Sequence, residues 1–165
     1  MTLRAAHVDE SLALANLHVD VWRKTYVDLA TPEALAKLDT THRLPLWQSY
    51  LEDKVHHVFV EHQNGAVIGV VCIGPSSHEA FGNRQEIKHL YVAGQAARQG
   101  VGARLLNAAL AQCTKDGHKG AGLAVVTQNH PARSFYVACG GVEMGEFVDP
   151  GPLWKSANTI VVWDL

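Results

Sequence analysis

The most informative part of the chain is the segment Leu90-Tyr91-Val92-Ala93-Gly94-Gln95-Ala96-Ala97-Arg98-Gln99-Gly100-Val101-Gly102-Ala103-Arg104-Leu105-Leu106. It begins as a β-branched and aromatic strand, passes through a turn of small residues and ends in the first turn of an amphipathic helix. Such a turn exposes unpaired backbone N–H groups at the positive end of the helix dipole, where phosphate binds. Gly100 and Gly102 lack the Cβ atoms that would obstruct a phosphate approaching the backbone. The sequence therefore predicts a phosphate-binding turn here.

Two common phosphate-binding loops do not match this segment. A Walker A loop has Lys and then Ser or Thr after its last glycine, but Gly102 is followed by Ala103 and Arg104. A dinucleotide fingerprint has a third small residue where this chain has Leu105, and an acidic residue about 20 positions later. The segment around Gly122 contains no acidic residue. A nucleotide-binding α/β domain and an ordinary Gly-rich turn before a helix remain as alternatives.

The segment resembles the pyrophosphate loop of the GNAT N-acetyltransferase superfamily, which has the pattern Gln/Arg-x-x-Gly-x-Gly/Ala followed by a helix. Gly100 and Gly102 stand in register, whereas the leading position is Ala97 and Arg98 is displaced by one. This departure removes one expected side-chain contact to the pyrophosphate but leaves the backbone amides in place. The resemblance implies that the chain uses acetyl-CoA as a co-substrate and no metal. The residues it implies at the pyrophosphate are Arg98, Gln99, Gly100, Val101, Gly102 and Ala103.

The composition predicts one globular domain over residues 1–165, with 47% hydrophobic and 18% charged residues. A formal charge of −2 supplies no broad basic face, so nucleic-acid binding is disfavoured. No apolar run approaches the roughly 20 residues that span a bilayer, and the first residues lack a signal-peptide segment. Cys72, Cys113 and Cys139 lie far apart among apolar neighbours, which indicates reduced thiols in a cytoplasmic protein. The ten histidines show no ligand spacing typical of a metal site.

The pattern of apolar residues and turn signals predicts alternating strands and helices. Predicted strands are Thr2–Ala6, Val55–Glu61, Ala66–Gly74, Glu86–Val92, Ala121–Thr127, Gly141–Val148 and Asn158–Leu165. Predicted helices run from Asp9 to Tyr26, from Pro32 through a break near Thr40 to Leu51, from Gly100 to Thr114 and from Pro131 to Cys139. This order matches the GNAT superfamily over nearly the whole chain. The resemblance implies an α/β (α+β) fold, with a mixed central sheet of about six or seven strands and about four helices, splayed between the fourth and fifth strands.

The last strand, Asn158–Leu165, is expected to pair antiparallel with Gly141–Val148. It is also our candidate for the contact edge of a homodimer.

A second segment, Thr127–Val142, resembles the superfamily pattern Asn-x-x-Ala-x-x-Phe-Tyr-x-x-x-Gly-Phe, with Val142 in place of the final aromatic residue. Asn129 matches the residue that binds the cofactor arm, and Tyr136 matches the one near the cofactor sulfur. A phenol there can donate a proton to the departing thiolate. The structural alternatives are a helix cap for Asn129 and a core position for Tyr136.

The resemblance also implies that the pantetheine arm runs beside Leu90, Tyr91 and Val92 and bonds to their main-chain groups. Glu86 matches a position where some family members carry a general base, and His89 is the rival because its intrinsic pKa suits proton transfer at neutral pH. Strand alternation places Glu86 on the face of Leu90 and Val92, and His89 on the face of Tyr91, unless a bulge reverses the parity. Glu86 paired with Lys88 on the surface is the structural alternative.

His18, Trp22 and Tyr26 follow each other at intervals of four on the first helix. Aromatic residues at this spacing often form core, but similar segments border the acceptor pocket in a branch of the superfamily. We therefore take Trp22 and Tyr26 as candidate substrate-binding residues. The sequence predicts transfer of acetyl from acetyl-CoA to a primary amine by direct attack. The alternative is a catalytically inactive acyl-CoA-binding module or sensor.

Overall fold

A computed structural model describes all 165 residues. The chain forms one seven-stranded sheet with helices on both faces. The strands are β1 (Thr2–Ala5), β2 (His57–Gln63), β3 (Ala66–Gly74), β4 (Gln85–Val92), β5 (Gly120–Val126), β6 (Val142–Val148) and β7 (Ala157–Asp164). Their spatial order is β1-β2-β3-β4-β5-β7-β6, and every neighbouring pair is antiparallel except β4 with β5. The predicted mixed α/β (α+β) sheet is confirmed.

Five α-helices connect these strands, because the predicted break near Thr40 separates two helices. They are α1 (Ser11–Tyr26), α2 (Pro32–Lys37), α3 (Thr40–Glu52), α4 (Val101–Lys115) and α5 (His130–Ala138). The Thr31 hydroxyl caps α2 by accepting a bond from the Ala34 N–H at 3.1 Å. The Asp39 carboxylate caps α3 by accepting one from the His42 N–H at 2.8 Å. These two side chains satisfy N–H groups that a helix start leaves unpaired.

The sheet separates two apolar cores. On one face α4 buries Val101, Leu105 and Ala109 against β3, β4, β5 and β7. On the other face α1 and α3 pack against β2 and β3 around Leu14 and the fully buried Trp47. Since each face is covered, β3 has buried residues on both sides, as its continuous apolar sequence indicates.

The sheet opens between β4 and β5. These parallel strands are paired at only two positions, Gln85 with Ala121 and Glu86 with Gly122. Beyond Gly122, β5 continues to Val126 in contact with β7 alone. The predicted splay between the fourth and fifth strands is therefore present, and it leaves one edge of β4 without a strand partner.

A β-bulge at Lys88 accompanies this opening. Lys88 has no partner on β3, and a bulge bends its strand and re-aims the side chains beyond it. Strict alternation would place Ile87 on the same face as His89. Instead Ile87 packs with Leu90 beneath α4, whereas His89 and Tyr91 face α1 and α3. The bulge is the exception that we allowed to strict alternation, and the extra residue reverses the parity from this position on.

The last strand lies inside the sheet. β7 pairs antiparallel with β6, as predicted, but it also pairs with β5 along its whole length. Our expectation that Asn158–Leu165 forms a dimer edge is therefore wrong, since neither side of this strand is free. The edges of the sheet are β1 and β6.

Candidate active site

The turn before α4 presents a run of unpaired backbone donors. None of the N–H groups from Arg98 to Ala103 donates to an acceptor in the chain. Arg98 and Gly100 both have left-handed backbone conformations, with φ of 61° and 77°. Left-handed residues in a turn direct neighbouring N–H groups toward a common point, and the helix dipole adds a partial positive charge. The turn is thus built to bind an anion.

The two glycines of this turn serve different purposes. Gly100 is the N-cap residue of α4, and its positive φ would strain a residue with a Cβ atom. Gly102 has an ordinary helical φ, but a Cβ there would stand 3.2 Å from Cζ of Phe135 on α5. A side chain at this position would press on Phe135, so Gly102 favours the close packing of the two helices as well as the phosphate approach that the sequence suggested. Arg104 secures the turn by donating to the Gln99 carbonyl at 3.1 Å.

A cleft of about 650 Å³ lies in the opening between β4 and β5, and we call it the β4–β5 cleft. It is lined by Val21, Thr25, Tyr26, Leu29, residues 87–92, Ala97, residues 123–125, Gln128, Asn129, Pro131, Ala132 and Tyr136. Ala97 joins the cleft to the anion-binding turn. The structure thus brings together Leu90, Tyr91 and Val92 of β4 with Asn129 and Tyr136 of the α5 segment.

Asn129 and Tyr136 occupy the wall of the cleft formed by α5. The Asn129 side chain accepts a bond from the Ala132 N–H at 3.4 Å and donates to the Tyr26 hydroxyl at 3.2 Å. It therefore caps α5 and also links α5 to α1 across the cleft. Tyr136 is buried, and burial raises the pKa of its phenol. Its hydroxyl has no hydrogen-bond partner in the chain, so it is free to bond to a group in the cleft.

A second cavity of about 400 Å³ lies on the α1 side of the same opening, and we call it the aromatic pocket. Its lining comprises His18, Trp22, Tyr26, Arg43, Lys88, His89, Tyr91, Ala124, Val126, Asp149, residues 151–154, Ser156 and Asn158. The rings of Trp22, Tyr26 and Trp154 pack together with centroids 5.1 to 6.1 Å apart. Sequence reasoning missed Trp154, because a single Trp in the loop before β7 carries no periodic signal.

The aromatic pocket is backed by a hydrogen-bonded row of rings. The Trp47 indole donates to Nδ1 of His18 at 3.1 Å, and Nε2 of His18 lies 3.1 Å from the Tyr91 hydroxyl. The Tyr91 hydroxyl lies 3.3 Å from Nδ1 of His89, and Nε2 of His89 lies 3.4 Å from the Tyr50 hydroxyl. Because an indole N–H only donates, a neutral His18 carries its proton on Nε2 and donates it to Tyr91.

Burial keeps both histidines of this row neutral. Burial lowers the pKa of His18 to about 2, and the charges of His89 and Arg43 act in the same direction. Burial likewise lowers the pKa of His89 to about 3, helped by Arg43 and Lys88. The predicted aromatic stripe of α1 is therefore divided. His18 is a buried, hydrogen-bonded residue at the back of the pocket, whereas Trp22 and Tyr26 are partly exposed in its wall.

Comparison with known proteins assigns the family. The sequence model described as "Acetyltransferase (GNAT) family" matches residues 16–140, which is most of the chain. The chain belongs to the GNAT acetyltransferase family. This acetyltransferase is 30% identical over 139 residues to the uncharacterized N-acetyltransferase YuaI of Bacillus subtilis, covering 84% of this chain and 78% of that protein.

Solved structures share the fold of this acetyltransferase. It matches a ribosomal-protein-alanine N-acetyltransferase from Brucella melitensis with a TM-score of 0.78 and 21% identity, over 100% of both chains. It matches the PaiA N-acetyltransferase from Thermoplasma acidophilum, solved in complex with coenzyme A, with a TM-score of 0.74 and 18% identity, again over 100% of both. GNAT enzymes use acetyl-CoA as a co-substrate, so the nucleotide-domain alternative is set aside.

Glu86 is the remaining candidate catalytic residue of this acetyltransferase. Because of the bulge at Lys88, it lies on the same face of β4 as His89, toward α3. Its Oε1 accepts bonds from the Ser77 N–H at 2.8 Å, the Ser77 hydroxyl at 2.7 Å and the Lys88 ammonium at 2.8 Å. Glu86 lines neither cavity, whereas Lys88 and His89 line both. Ser77 and Lys88 therefore hold the Glu86 carboxylate in place, and the charged group that lies at the opening is the Lys88 ammonium.

Two further observations bear on the acetyltransferase. No group of three or more His, Cys, Asp or Glu side chains is arranged to hold a metal ion. No helix has both the length and the apolar character that crossing a membrane requires.

Proposed function

We propose that this enzyme transfers acetyl from acetyl-CoA to a primary amine by direct attack of the amine on the thioester. One observation carries the proposal: the β4–β5 cleft and the aromatic pocket meet at His89 and Tyr91, which line both. A thioester in the cleft and an amine in the pocket would approach each other through this junction. Holding two reactants in contact is a large part of catalysis for such a reaction.

The fit of acetyl-CoA to the cleft rests on the chain's own polar groups. The unpaired N–H groups of Arg98–Ala103 suit the pyrophosphate, and Ala97 connects this turn to the cleft. The free edge of β4 at Leu90–Val92 suits the amide-bearing arm, because its main-chain groups lack a strand partner on that side. We assign Asn129 to the same arm.

The cysteines support a direct reaction. An acetyl-enzyme needs a thiolate at the cleft, but none of the three cysteines lines either cavity. Burial raises the pKa of the thiols of Cys72, Cys113 and Cys139, which disfavours the reactive form. The new C–N bond would therefore form as the C–S bond breaks, with no covalent enzyme intermediate.

We assign the proton-donor role to Tyr136. Burial raises the pKa of the phenol, so the hydroxyl stays protonated at neutral pH and available to the departing thiolate. Because the hydroxyl bonds to nothing in the chain, the donor needs no rearrangement before it acts. The proton it loses is restored from solvent after CoA leaves.

His89 and Glu86 are the two candidates for receiving the proton of the amine. We favour His89, because its imidazole lines the junction, whereas Glu86 lines neither cavity. In this arrangement Glu86 holds the Lys88 ammonium in place. His89→Asn should lower kcat at least about 10-fold, with Glu86→Gln reducing it less. A larger loss in Glu86→Gln would return the role to the carboxylate.

Release of free thiol from acetyl-CoA across a panel of primary amines tests the proposed function. We expect release that depends on the amine and saturates with it, together with a product one acetyl group heavier than the amine. Tight CoA binding without release above background would instead support the inactive acyl-CoA-binding module. A cytoplasmic location stays a prediction.

A further inference from the structure

Arg43 in α3 is a charged side chain without a partner. It is half-buried, it makes no hydrogen bond or ion pair, and its Nε is fully enclosed. The other arginines bond to a carboxylate or a carbonyl, apart from Arg98, which is exposed. Removing a guanidinium from water without compensation is unfavourable, so a half-buried unpaired one indicates a missing anionic partner.

Arg43 lines the aromatic pocket, where the other cation, Lys88, is paired within the chain. The Lys88 ammonium is paired with Glu86 at 2.8 Å. His18 and His89 are neutral, in part because the Arg43 charge lowers the pKa of each. Asp149 accepts a bond from the Gly151 N–H at 2.9 Å and stabilises the loop before β7. Asp149 has no ion-pair partner either, but Arg43 is the one cation of the pocket without an anionic partner in the chain.

The pocket also has an aromatic wall beside its polar residues, which include Lys88, Asp149 and Asn158. Trp22, Tyr26 and Trp154 form a wall on which a flat ring can pack, edge-on or offset. The cavity of about 400 Å³ suits a single amino-acid-sized molecule better than a folded protein surface. An internal peptide amine such as a lysine would bring no carboxylate to Arg43.

We infer that the acceptor is a free aromatic amino acid or a close analogue, with its carboxylate on Arg43 and its ring against Trp22, Tyr26 and Trp154. This inference rests on the proposed function. It assigns Arg43 as the residue that discriminates between carboxylate-bearing amines and their decarboxylated counterparts. A guanidinium–carboxylate pair is charge-assisted and admits two parallel hydrogen bonds, so it selects strongly for the acid.

The test compares tryptophan with tryptamine, which share the indole and the amine and differ by the carboxylate. We expect kcat/KM to favour tryptophan by roughly 10- to 100-fold, as a hydrogen bond to a charged group allows. Arg43→Gln should reduce this ratio to within a few-fold of one, and Arg43→Lys should give an intermediate value. Lys54→Gln is the matched control: Lys54 is exposed and lines neither cavity, so the ratio should stay unchanged.

Binding of indole-3-propionate, measured by calorimetry, supplies a readout without catalysis. This probe carries the ring and the carboxylate but no amine, and we expect Arg43→Gln to weaken its binding at least about 10-fold. Equal turnover of tryptophan and tryptamine, or a ratio that Arg43→Gln leaves intact, would overturn the inference while the acetyltransferase function stands. Arg43-dependent binding of the probe without thiol release from any amine would overturn the proposed function and, with it, the acceptor role, leaving only a carboxylate site at Arg43.

Discussion

Gly102 allows the anion site at the start of α4 to be tested with a matched pair of substitutions. Gly102→Asp and Gly102→Asn add side chains of nearly equal size at the second residue of the helix. Both meet Phe135, whose Cζ would stand 3.2 Å from the new Cβ, so the packing penalty is shared. Only Asp adds a negative charge. The difference between the two variants therefore reports on charge alone.

The expected difference follows from the position of the charge. Two like unit charges about 4 Å apart repel by about 4 kcal/mol at an effective dielectric constant of 20, and salt screening reduces this to about 3 kcal/mol. CoA should therefore bind Gly102→Asp at least about 100-fold more weakly than Gly102→Asn. The free proteins should show the opposite order. Asp near a helix N-terminus is favourable by about 0.3 to 1 kcal/mol, which raises Tm by roughly 1 to 4 °C.

Calorimetric titration with CoA measures the first quantity, and thermal unfolding without ligand measures the second. The order of thermal stability should be the reverse of the order of CoA affinity, with Gly102→Asp the more stable protein and the weaker binder. Equal CoA affinities in the two variants would refute the assignment of the pyrophosphate to this turn. If the two variants lose the same thermal stability, the loss comes from the contact with Phe135 that both share, for which Gly102→Asn is the control.

Three further predictions concern Tyr136 and the buried rings. Tyr136→Phe should lower kcat roughly 10- to 100-fold and leave the Kd for CoA within twofold, because the hydroxyl bonds to nothing in the chain. Trp47→Phe should reduce the free energy of unfolding in urea by about 1 to 3 kcal/mol, because Nδ1 of buried His18 loses its donor. Below about pH 6.5, the free energy of unfolding should decrease as the pH is lowered. The native pKa values of His18 and His89, about 2 and 3, lie below their unfolded values, so the unfolded chain binds protons first. The stability that both histidines contribute is complete above pH 6.5 and decreases toward pH 3, by up to about 1.4 kcal/mol per unit for each.

Each of these has an outcome that contradicts it. An unchanged rate in Tyr136→Phe would reduce Tyr136 to a packing residue. Trp22→Phe is the control for Trp47, because the Trp22 indole makes no hydrogen bond, and equal losses in the two variants would mean that ring volume matters and the donor does not. A level of stability that stays constant between pH 7 and 5 would show that the histidines are not buried as neutral groups.

The turn and helix to which we assign the pyrophosphate were predicted from local sequence. Gly100 marks a left-handed residue, and the apolar spacing that follows marks α4, because a turn and a helix start depend on neighbouring residues. Asn129 and Tyr136 were assigned by resemblance to the GNAT pattern, and they lie at the start and in the body of one short helix after a buried strand. In each case a few adjacent residues determine the conformation.

The acceptor side was less predictable. Trp22 was a candidate from its spacing on α1, but Trp154 and Arg43 come from the loop before β7 and from α3, and no periodic pattern connects them to it. The reversal at Lys88 was equally hidden, since an alternating strand with an extra residue reads as alternation until its partner strand is known. The place of β7 inside the sheet also depends on pairing between distant segments.

The amino-acid sequence by itself determined the anion-binding turn, the order of strands and helices and the residues of α5 that face the cleft. Tertiary structure alone decided that β4 leaves β5 after Glu86, that the bulge turns His89 toward α1, and that an unpaired Arg43 shares a pocket with three aromatic rings. The physical reason is the range of the interactions. Backbone conformation and amphipathic spacing are set within a few residues, whereas register, burial and the pairing of charges are set by segments that meet only when the sheet is assembled.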